Sequence, residues 1–218
     1  MFGTTPLTYR LQQGIPSQSG SPAVVLLHGI GSHEGDLFAL APYFPPQFYV
    51  VSVRGPYDYG WGGYSWFDLQ ITTQGLWVNT QMAAHSRQAL AELRQDLLNR
   101  YRLDPQRLYL LGFSQGAMLA LSLLLHQPHN WAGVVAMSGA LLPELCPQPR
   151  DPDAVGGKPI VLIHGEQDQV VPLLYAEMSR DYLQDYNLSY YTYRMGHEVS
   201  AASLERVITT LKTWAGLD

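Results

Sequence analysis

Gly112-Phe113-Ser114-Gln115-Gly116 directly follows the apolar run Leu108-Tyr109-Leu110-Leu111. A serine with a glycine two residues away on each side is typical of a sharp turn from a strand into a helix, which exposes the hydroxyl as a nucleophile. Glycine suits this turn because strand and helix nearly collide there and leave no room for a Cβ atom. Residues 117–126 (AMLALSLLLH) favour a helix, and Pro128 follows its end. The sequence therefore predicts a strand, an exposed serine and a helix in succession.

Short apolar segments alternate with helical patterns along the chain. The predicted strands are Thr8 to Gln12 at an edge, Ala23 to Leu27, Phe48 to Val53, Arg107 to Leu111, Gly133 to Met137, Ile160 to Ile163 and Leu188 to Tyr193. The predicted helices are Asp36 to Tyr43, roughly Gln74 to Tyr101, Gln115 to His126, Leu173 to Gln184 and Ala201 to Trp214. Continuously apolar strands belong to a sheet that is covered on both faces. We expect an α/β fold with a mostly parallel central sheet and helices on both faces.

Composition restricts the class of protein. With 218 residues, 46% of them hydrophobic, the chain can bury one core, and we predict a single domain over residues 1–218. The net charge of −5 argues against a nucleic-acid partner. No apolar run is long enough to span a membrane, so we expect a cytoplasmic protein. The proline-rich segment from Leu141 to Lys158 should loop over the surface, and Cys146 within it should be an inert, partly buried thiol.

Polar residues follow several predicted strands directly, where the ligands of open α/β sheets bind. Ser114 follows the predicted strand 107–111, Asp168 follows the strand 160–163, and His197 follows the strand 188–193. The chain order serine, aspartate, histidine is the order expected when serine attacks, histidine removes its proton and aspartate orients the imidazole. Because such a base must be uncharged, activity should rise with pH over roughly pH 6 to 7.5, where imidazoles lose their proton.

Each of these assignments has competitors in the sequence. Four other aspartates compete with Asp168 but lie in a charged loop or on a helical face: Asp151, Asp153, Asp181 and Asp185. His164 also ends a strand, yet it opens the turn before Asp168, so a hydrogen bond to backbone is its expected role. His28 precedes a glycine turn and is expected to fix that loop. The remaining histidines, His33, His85, His126 and His129, show no metal-ligand spacing, and we predict no metal.

Six segments resemble the phospholipase/carboxylesterase family of α/β-hydrolases, which includes bacterial carboxylesterases and acyl-protein thioesterases. They are LLHGIGS (26–32), YSWFD (64–68), LDPQRLYLLGFSQGAM (103–118), AGVVAMSGALLP (132–143), IHGEQDQVVP (163–172) and MGHEVS (195–200). The resemblance implies an α/β-hydrolase fold, and at 218 residues we expect no separate lid domain. It also implies a catalytic triad of Ser114, Asp168 and His197 and an oxyanion hole formed by the backbone N–H groups of Ile30 and Gln115. Because such a triad hydrolyses esters with water alone, we expect no cofactor. The nucleophile segment departs from the family in ending GFSQGA where a double glycine is usual.

An aromatic stretch follows the strand that ends near Val53. We predict that its residues Tyr57, Tyr59, Trp61, Tyr64 and Trp66 wall a substrate pocket, with core packing as the alternative for Trp66 and its neighbour Phe67. An uncharged aromatic wall suits small to medium acyl esters. The sequence therefore predicts a carboxylesterase with a small-molecule substrate. An acyl-protein thioesterase or lysophospholipase, a non-catalytic binding module of the same fold, and a homodimer are left open.

Overall fold

Seven strands form the central sheet of the protein, whose computed structural model describes residues 7–72 and 75–217. The strands of the described residues are β1 (Tyr9–Gln12), β2 (Ser21–Leu27), β3 (Tyr49–Val53), β4 (Tyr57–Gly60), β5 (Gly63–Ser65), β6 (Leu69–Thr72), β7 (Gly75–Val78), β8 (Leu103–Phe113), β9 (Gly133–Met137), β10 (Ile160–Gly165) and β11 (Leu188–Tyr193). The sheet order is β1-β3-β2-β8-β9-β10-β11. Only the edge strand β1 runs antiparallel to its neighbour among these pairs. The predicted mostly parallel sheet is confirmed.

Five α-helices lie in the described residues: α1 (Thr80–Arg100), α2 (Gln115–His126), α3 (Pro152–Val155), α4 (Leu173–Tyr182) and α5 (Ala201–Ala215). Side chains of β2 alternate between two apolar clusters, with Val25 and Leu27 on one face and Val24 and Leu26 on the other. Helices α1 and α2 complete the first cluster, and α5 completes the second. The sheet is therefore covered on both faces, as its continuously apolar strands predict. In residues 7–72 and 75–217 no helix combines the length and the apolar character needed to cross a membrane.

The predicted helix from about Gln74 to Tyr101 is wrong over its first residues, and Gln74 itself lies outside the described residues. Strands β6 and β7 pair with each other as an antiparallel hairpin before α1 begins at Thr80. The helix begins there because the Asn79 side chain accepts a hydrogen bond from the Met82 N–H at 3.1 Å and caps the first turn. Likewise, the segment Leu37–Tyr43 is a 3₁₀ helix containing Pro42, which cannot donate the backbone bond of a longer α-helix.

The segment from Leu141 to Lys158 is largely irregular and exposed, as its prolines predict, but several of its residues are buried. It contains a 3₁₀ turn over Pro143–Leu145 and the short helix α3. The apolar side chains at positions 141, 142, 145, 146 and 155 are buried in the first cluster and anchor the segment to the core. Cys146 is among them, and burial raises the pKa of its thiol, in agreement with the predicted inert role.

Candidate active site

The serine of the GFSQG segment lies at the turn between β8 and α2. Ser114 has φ 54° and ψ −119°, a conformation that few non-glycine residues adopt. Its backbone N–H donates to Met137 O at 2.9 Å and ties the turn to β9. A Cβ atom on Gly112 would collide with the backbone of Gly116, and one on Gly116 would collide with that of Leu27. The two glycines therefore have the steric role that the sequence predicts.

Ser114, His197 and Asp168 are joined by hydrogen bonds. His197 Nε2 lies 3.0 Å from Ser114 Oγ, and His197 Nδ1 lies 2.8 Å from Asp168 Oδ2. Because a carboxylate only accepts, Nδ1 carries the proton and Nε2 is free to accept one from the hydroxyl. The Asp168 side chain is fully buried, and its Oδ1 accepts the N–H groups of Val170 and Val171 at 2.9 and 2.8 Å. The carboxylate is thus held in one orientation, facing the imidazole.

The competing residues have other partners. His164 Nε2 donates to Val171 O at 2.8 Å, and burial lowers the pKa of its imidazole, so this histidine supports the turn that carries Asp168. Of the competing aspartates, Asp151 caps α3, Asp153 lies in its first turn, Asp181 pairs with Arg180 and Asp185 pairs with Arg150. The described hydrogen bonds connect none of these four to Ser114 or His197.

The predicted oxyanion donors lie on two elements that meet at Ser114. Gln115 is the first residue of α2, so its N–H has no partner within the helix. Ile30 follows β2 in a loop that His28 fixes: His28 Nε2 accepts from Gly55 N–H at 2.9 Å, which leaves Nδ1–H to donate to Gly29 O at 2.7 Å. Burial lowers the pKa of His28, and an Nε2 that accepts a hydrogen bond belongs to a neutral imidazole. The expected loop-fixing role of His28 is confirmed by these bonds.

An ion pair and a backbone bridge hold the other side of the same loop. The Arg54 guanidinium donates to both oxygens of the Glu34 carboxylate, at 2.6 and 2.8 Å. These bonds lower the pKa of Glu34 to about 2, so the pair is ionised near neutral pH. Beside it, Gly31 N–H donates to Tyr64 O and Tyr64 N–H donates to Ser32 O, at 2.9 and 2.7 Å. The loop that carries Ile30 is therefore attached to the β4–β5 hairpin and to the end of β3.

A cavity of about 400 Å³ opens beside Ser114. Its walls are formed by Ile30, Tyr59, Leu69, Ser114, Gln115, Met118, Gln169, Val170, Val171, Pro172 and Tyr175. Most of these side chains are apolar, as is usual for a small-molecule site. Residues 169–172 directly follow Asp168 and were missed by the sequence analysis. Their place at the carboxyl end of β10 is the signal that could have found them.

Of the five aromatic residues predicted to wall the pocket, Tyr59 lines this cavity and the other four lie elsewhere. Trp66 is fully buried in the core, Trp61 is fully exposed at the tip of the β4–β5 hairpin, Tyr57 Oη lies 2.8 Å from His85 Nδ1, and Tyr64 packs against Arg54. The segment forms a hairpin in which Tyr64 pairs with Asp58, so Tyr64 points to the face opposite to that of Tyr57. One cavity cannot therefore collect all five side chains.

Comparison with known proteins places the chain in a family. The family model described as Phospholipase/Carboxylesterase matches residues 14–215. Esterase YpfH of Escherichia coli is 28% identical over 175 residues, which cover 77% of this chain and 71% of that protein. Acyl-protein thioesterase 1 of Gibberella zeae is 30% identical over 113 residues, 50% of this chain and 48% of that protein. The chain spans from about a fifth to about half of the length of several curated relatives that it matches.

Solved structures share the whole architecture. The crystal structure of esterase PE8 superposes with a TM-score of 0.76 at 28% identity and covers 96% of this chain and 99% of that one. A strand-turn-helix serine within a mostly parallel sheet is common to α/β-hydrolases. Because the family model extends over nearly all of the sequence, this chain belongs to the phospholipase/carboxylesterase family of α/β-hydrolases, a family of esterases and thioesterases.

Proposed function

We propose that this protein is a serine carboxylic-ester hydrolase that acts on small to medium acyl esters. The observation that carries the proposal is the continuous hydrogen-bonded series from Ser114 Oγ through His197 to the buried Asp168 carboxylate. A serine hydroxyl is a weak nucleophile near neutral pH unless a base within hydrogen-bond reach removes its proton. His197 Nε2 at 3.0 Å is within that reach.

The proposed reaction passes through an acyl-enzyme. Ser114 Oγ attacks the ester carbonyl carbon while His197 Nε2 takes the hydroxyl proton, and Asp168 stabilises the resulting imidazolium. The carbonyl oxygen becomes an oxyanion that accepts from the N–H groups of Ile30 and Gln115, each worth about 3 kcal/mol in the transition state. His197 then protonates the departing alcohol. Water, deprotonated by the same imidazole, releases the carboxylic acid and restores Ser114. The scheme requires no cofactor.

The cavity beside Ser114 supports the size of the proposed substrate. Its volume of about 400 Å³ lies near the lower end of the range for small-molecule sites. Met118, Val171 and Pro172 offer apolar contacts to an acyl chain and carry no charge. Within the described residues no segment forms a separate lid over this cavity. A cytoplasmic location, a single domain over residues 1–218 and a homodimer stay predictions.

A thioesterase or lysophospholipase is the second candidate, favoured by the similarity to acyl-protein thioesterase 1. Esters and thioesters of one acid give the same acyl-enzyme, so the triad does not separate them. The two candidates differ in the leaving group and in the length of the acyl chain, and a long chain would extend beyond the cavity, where Val170 is an exposed apolar residue at the rim. A non-catalytic binding module would instead leave Ser114 unreactive.

Turnover of a chain-length series tests the proposed function. We expect hydrolysis of p-nitrophenyl acetate, butyrate and octanoate, with kcat/KM falling for the palmitate, because the cavity holds only a short chain. A palmitoyl thioester and a lysophosphatidylcholine serve as the competing substrates in the same assay. Rates that rise steeply towards sixteen carbons, or a clear preference for the thioester, would favour the second candidate. If the protein hydrolyses none of these substrates, the result would favour a non-catalytic binding module.

A further inference from the structure

We infer that the side chains of Gln115 and Trp66 are positioning residues that hold the two proposed oxyanion donors at a fixed separation. The donors are the backbone N–H groups of Gln115 and Ile30, which lie on different elements of the fold. The inference rests on the proposed function, because these N–H groups stabilise an oxyanion only if Ser114 attacks a carbonyl group.

The Gln115 side chain binds backbone rather than substrate. Its Oε1 accepts the N–H of Trp66 at 2.9 Å, and its Nε2 donates to Phe67 O at 2.7 Å. All three residues are fully buried. One side-chain amide therefore satisfies backbone groups of two consecutive residues and docks the segment after β5 onto the first residue of α2. The side chain at the nucleophile turn thus determines where Trp66 lies.

The Trp66 indole continues the connection to the other donor. Its Nε1–H donates to His28 O at 2.9 Å, and its ring lies 5.2 Å from the His28 ring between centroids. His28 in turn donates from Nδ1 to Gly29 O. Gly29 O and Ile30 N–H are the two ends of one planar trans peptide, so holding the oxygen also fixes the direction of the N–H. The bonds of Trp66 and His28 therefore orient the Ile30 donor.

These contacts form a continuous series from the Gln115 backbone through its side chain, Trp66 and His28 to the peptide of Ile30. The side chains of Gln115, Trp66 and His28 are buried, so water does not replace a lost bond. Oxyanion donors act only if they point at the position where the charge develops. Loosening this series of contacts should therefore affect the transition state more than the bound ester, and lower kcat more than it raises KM.

Trp66→Phe tests the inference because it removes the indole N–H and keeps an aromatic ring in the core. Ser86 Oγ still donates to Trp66 O at 2.5 Å, so the segment stays docked on α1. We expect kcat for p-nitrophenyl butyrate to fall about tenfold, while KM stays within about twofold of the wild-type value. This fall in kcat is smaller than the one caused by removing an oxyanion donor altogether. We also expect the Ki of phenylboronic acid, which forms a tetrahedral adduct with serine, to rise by a similar factor.

Trp131→Phe is the matched control. Trp131 is equally buried, but its Nε1 has no hydrogen-bond partner among the described residues. Trp131→Phe should lower the thermal unfolding temperature, because it loses the same ring volume from the core as Trp66→Phe. It should leave kcat and the boronate Ki near the wild-type values. Equal kcat and Ki in Trp66→Phe and Trp131→Phe would overturn the inference.

Gln115→Met is the second variant, needed if Trp66→Phe does not fold. It keeps the Gln115 backbone N–H and a side chain of similar length but removes both bonds to residues 66 and 67. The expected result is again a lower kcat and a weaker boronate affinity with little change in KM, and a wild-type kcat would overturn the inference. If the wild-type protein hydrolyses no ester and binds no boronate, the proposed function fails first and the inference fails with it.

Discussion

Replacing Ser114 by alanine should lower kcat for p-nitrophenyl butyrate by at least about 10⁴-fold, because no other group replaces the nucleophile. The hydroxyl is a small part of a buried turn. Alanine, like serine, has a Cβ atom, so the backbone strain at φ 54° is the same in both proteins. We therefore expect the circular dichroism spectrum and the unfolding temperature to stay close to those of the wild type. The measurement is steady-state hydrolysis, with the variant purified separately to exclude traces of active protein.

Ser138→Ala is the control for this substitution. Ser138 also follows a strand of the sheet, is fully buried and has a positive φ of 49°, and its Oγ has no hydrogen-bond partner among the described residues. Removing the Ser138 hydroxyl should leave kcat within about threefold of the wild-type value, as expected for a residue that takes no part in the reaction. Comparable activity in the Ser114→Ala and wild-type proteins would refute the assignment of the nucleophile.

Replacing Asp168 by asparagine should lower kcat by about 10⁴-fold while the fold is retained. An asparagine can keep its oxygen on the Val170 and Val171 N–H groups, and then presents its NH₂ group to His197 Nδ1. That contact favours the tautomer with the proton on Nε2. In this tautomer the imidazole donates towards Ser114 Oγ and cannot accept its proton. The measurement is kcat across pH 6 to 9.

Asp104→Asn controls for the change of charge and hydrogen bonding. Asp104 Oδ1 accepts the N–H two residues along the chain at 2.9 Å, as Asp168 Oδ1 does, and its Oδ2 accepts from Arg107 at 2.7 Å. Asp104 lies near the start of β8, whereas Ser114 follows the end of that strand. The control should leave kcat unchanged. A loss of activity of similar size in both variants would show that Asp168 acts through stability alone.

Much of the fold could be predicted because its strands are continuously apolar. Segments such as 23–27 and 133–137 admit few alternatives to a buried parallel strand. The hairpin of β6 and β7 could not be predicted in this way, because two short strands depend on pairing with each other more than on local preference. The segment 141–158 shows the same limit: its prolines predict a surface loop, and the burial of its apolar residues becomes visible only in the folded protein.

The three triad residues of the candidate site could be predicted from the sequence, whereas most of the residues that line its cavity could not. Ser114, Asp168 and His197 each follow a strand directly, so topology alone brings them to one edge of the sheet. No comparable rule says which aromatic side chains of the segment 57–66 line the cavity, because composition does not distinguish the two faces of a hairpin. Trp66 illustrates this: its indole looks like a pocket wall in the sequence and is a buried donor to His28 O in the structure.

The central claim is that Ser114 is an activated nucleophile, and covalent labelling tests it most directly. A fluorophosphonate reacts only with an activated serine, losing fluoride as the phosphorus-oxygen bond forms. We predict one adduct per chain by intact mass, located by peptide mapping on Ser114 and absent from the Ser114→Ala variant. No adduct on the folded wild-type protein, or an adduct on a different serine that persists in Ser114→Ala, would contradict the account.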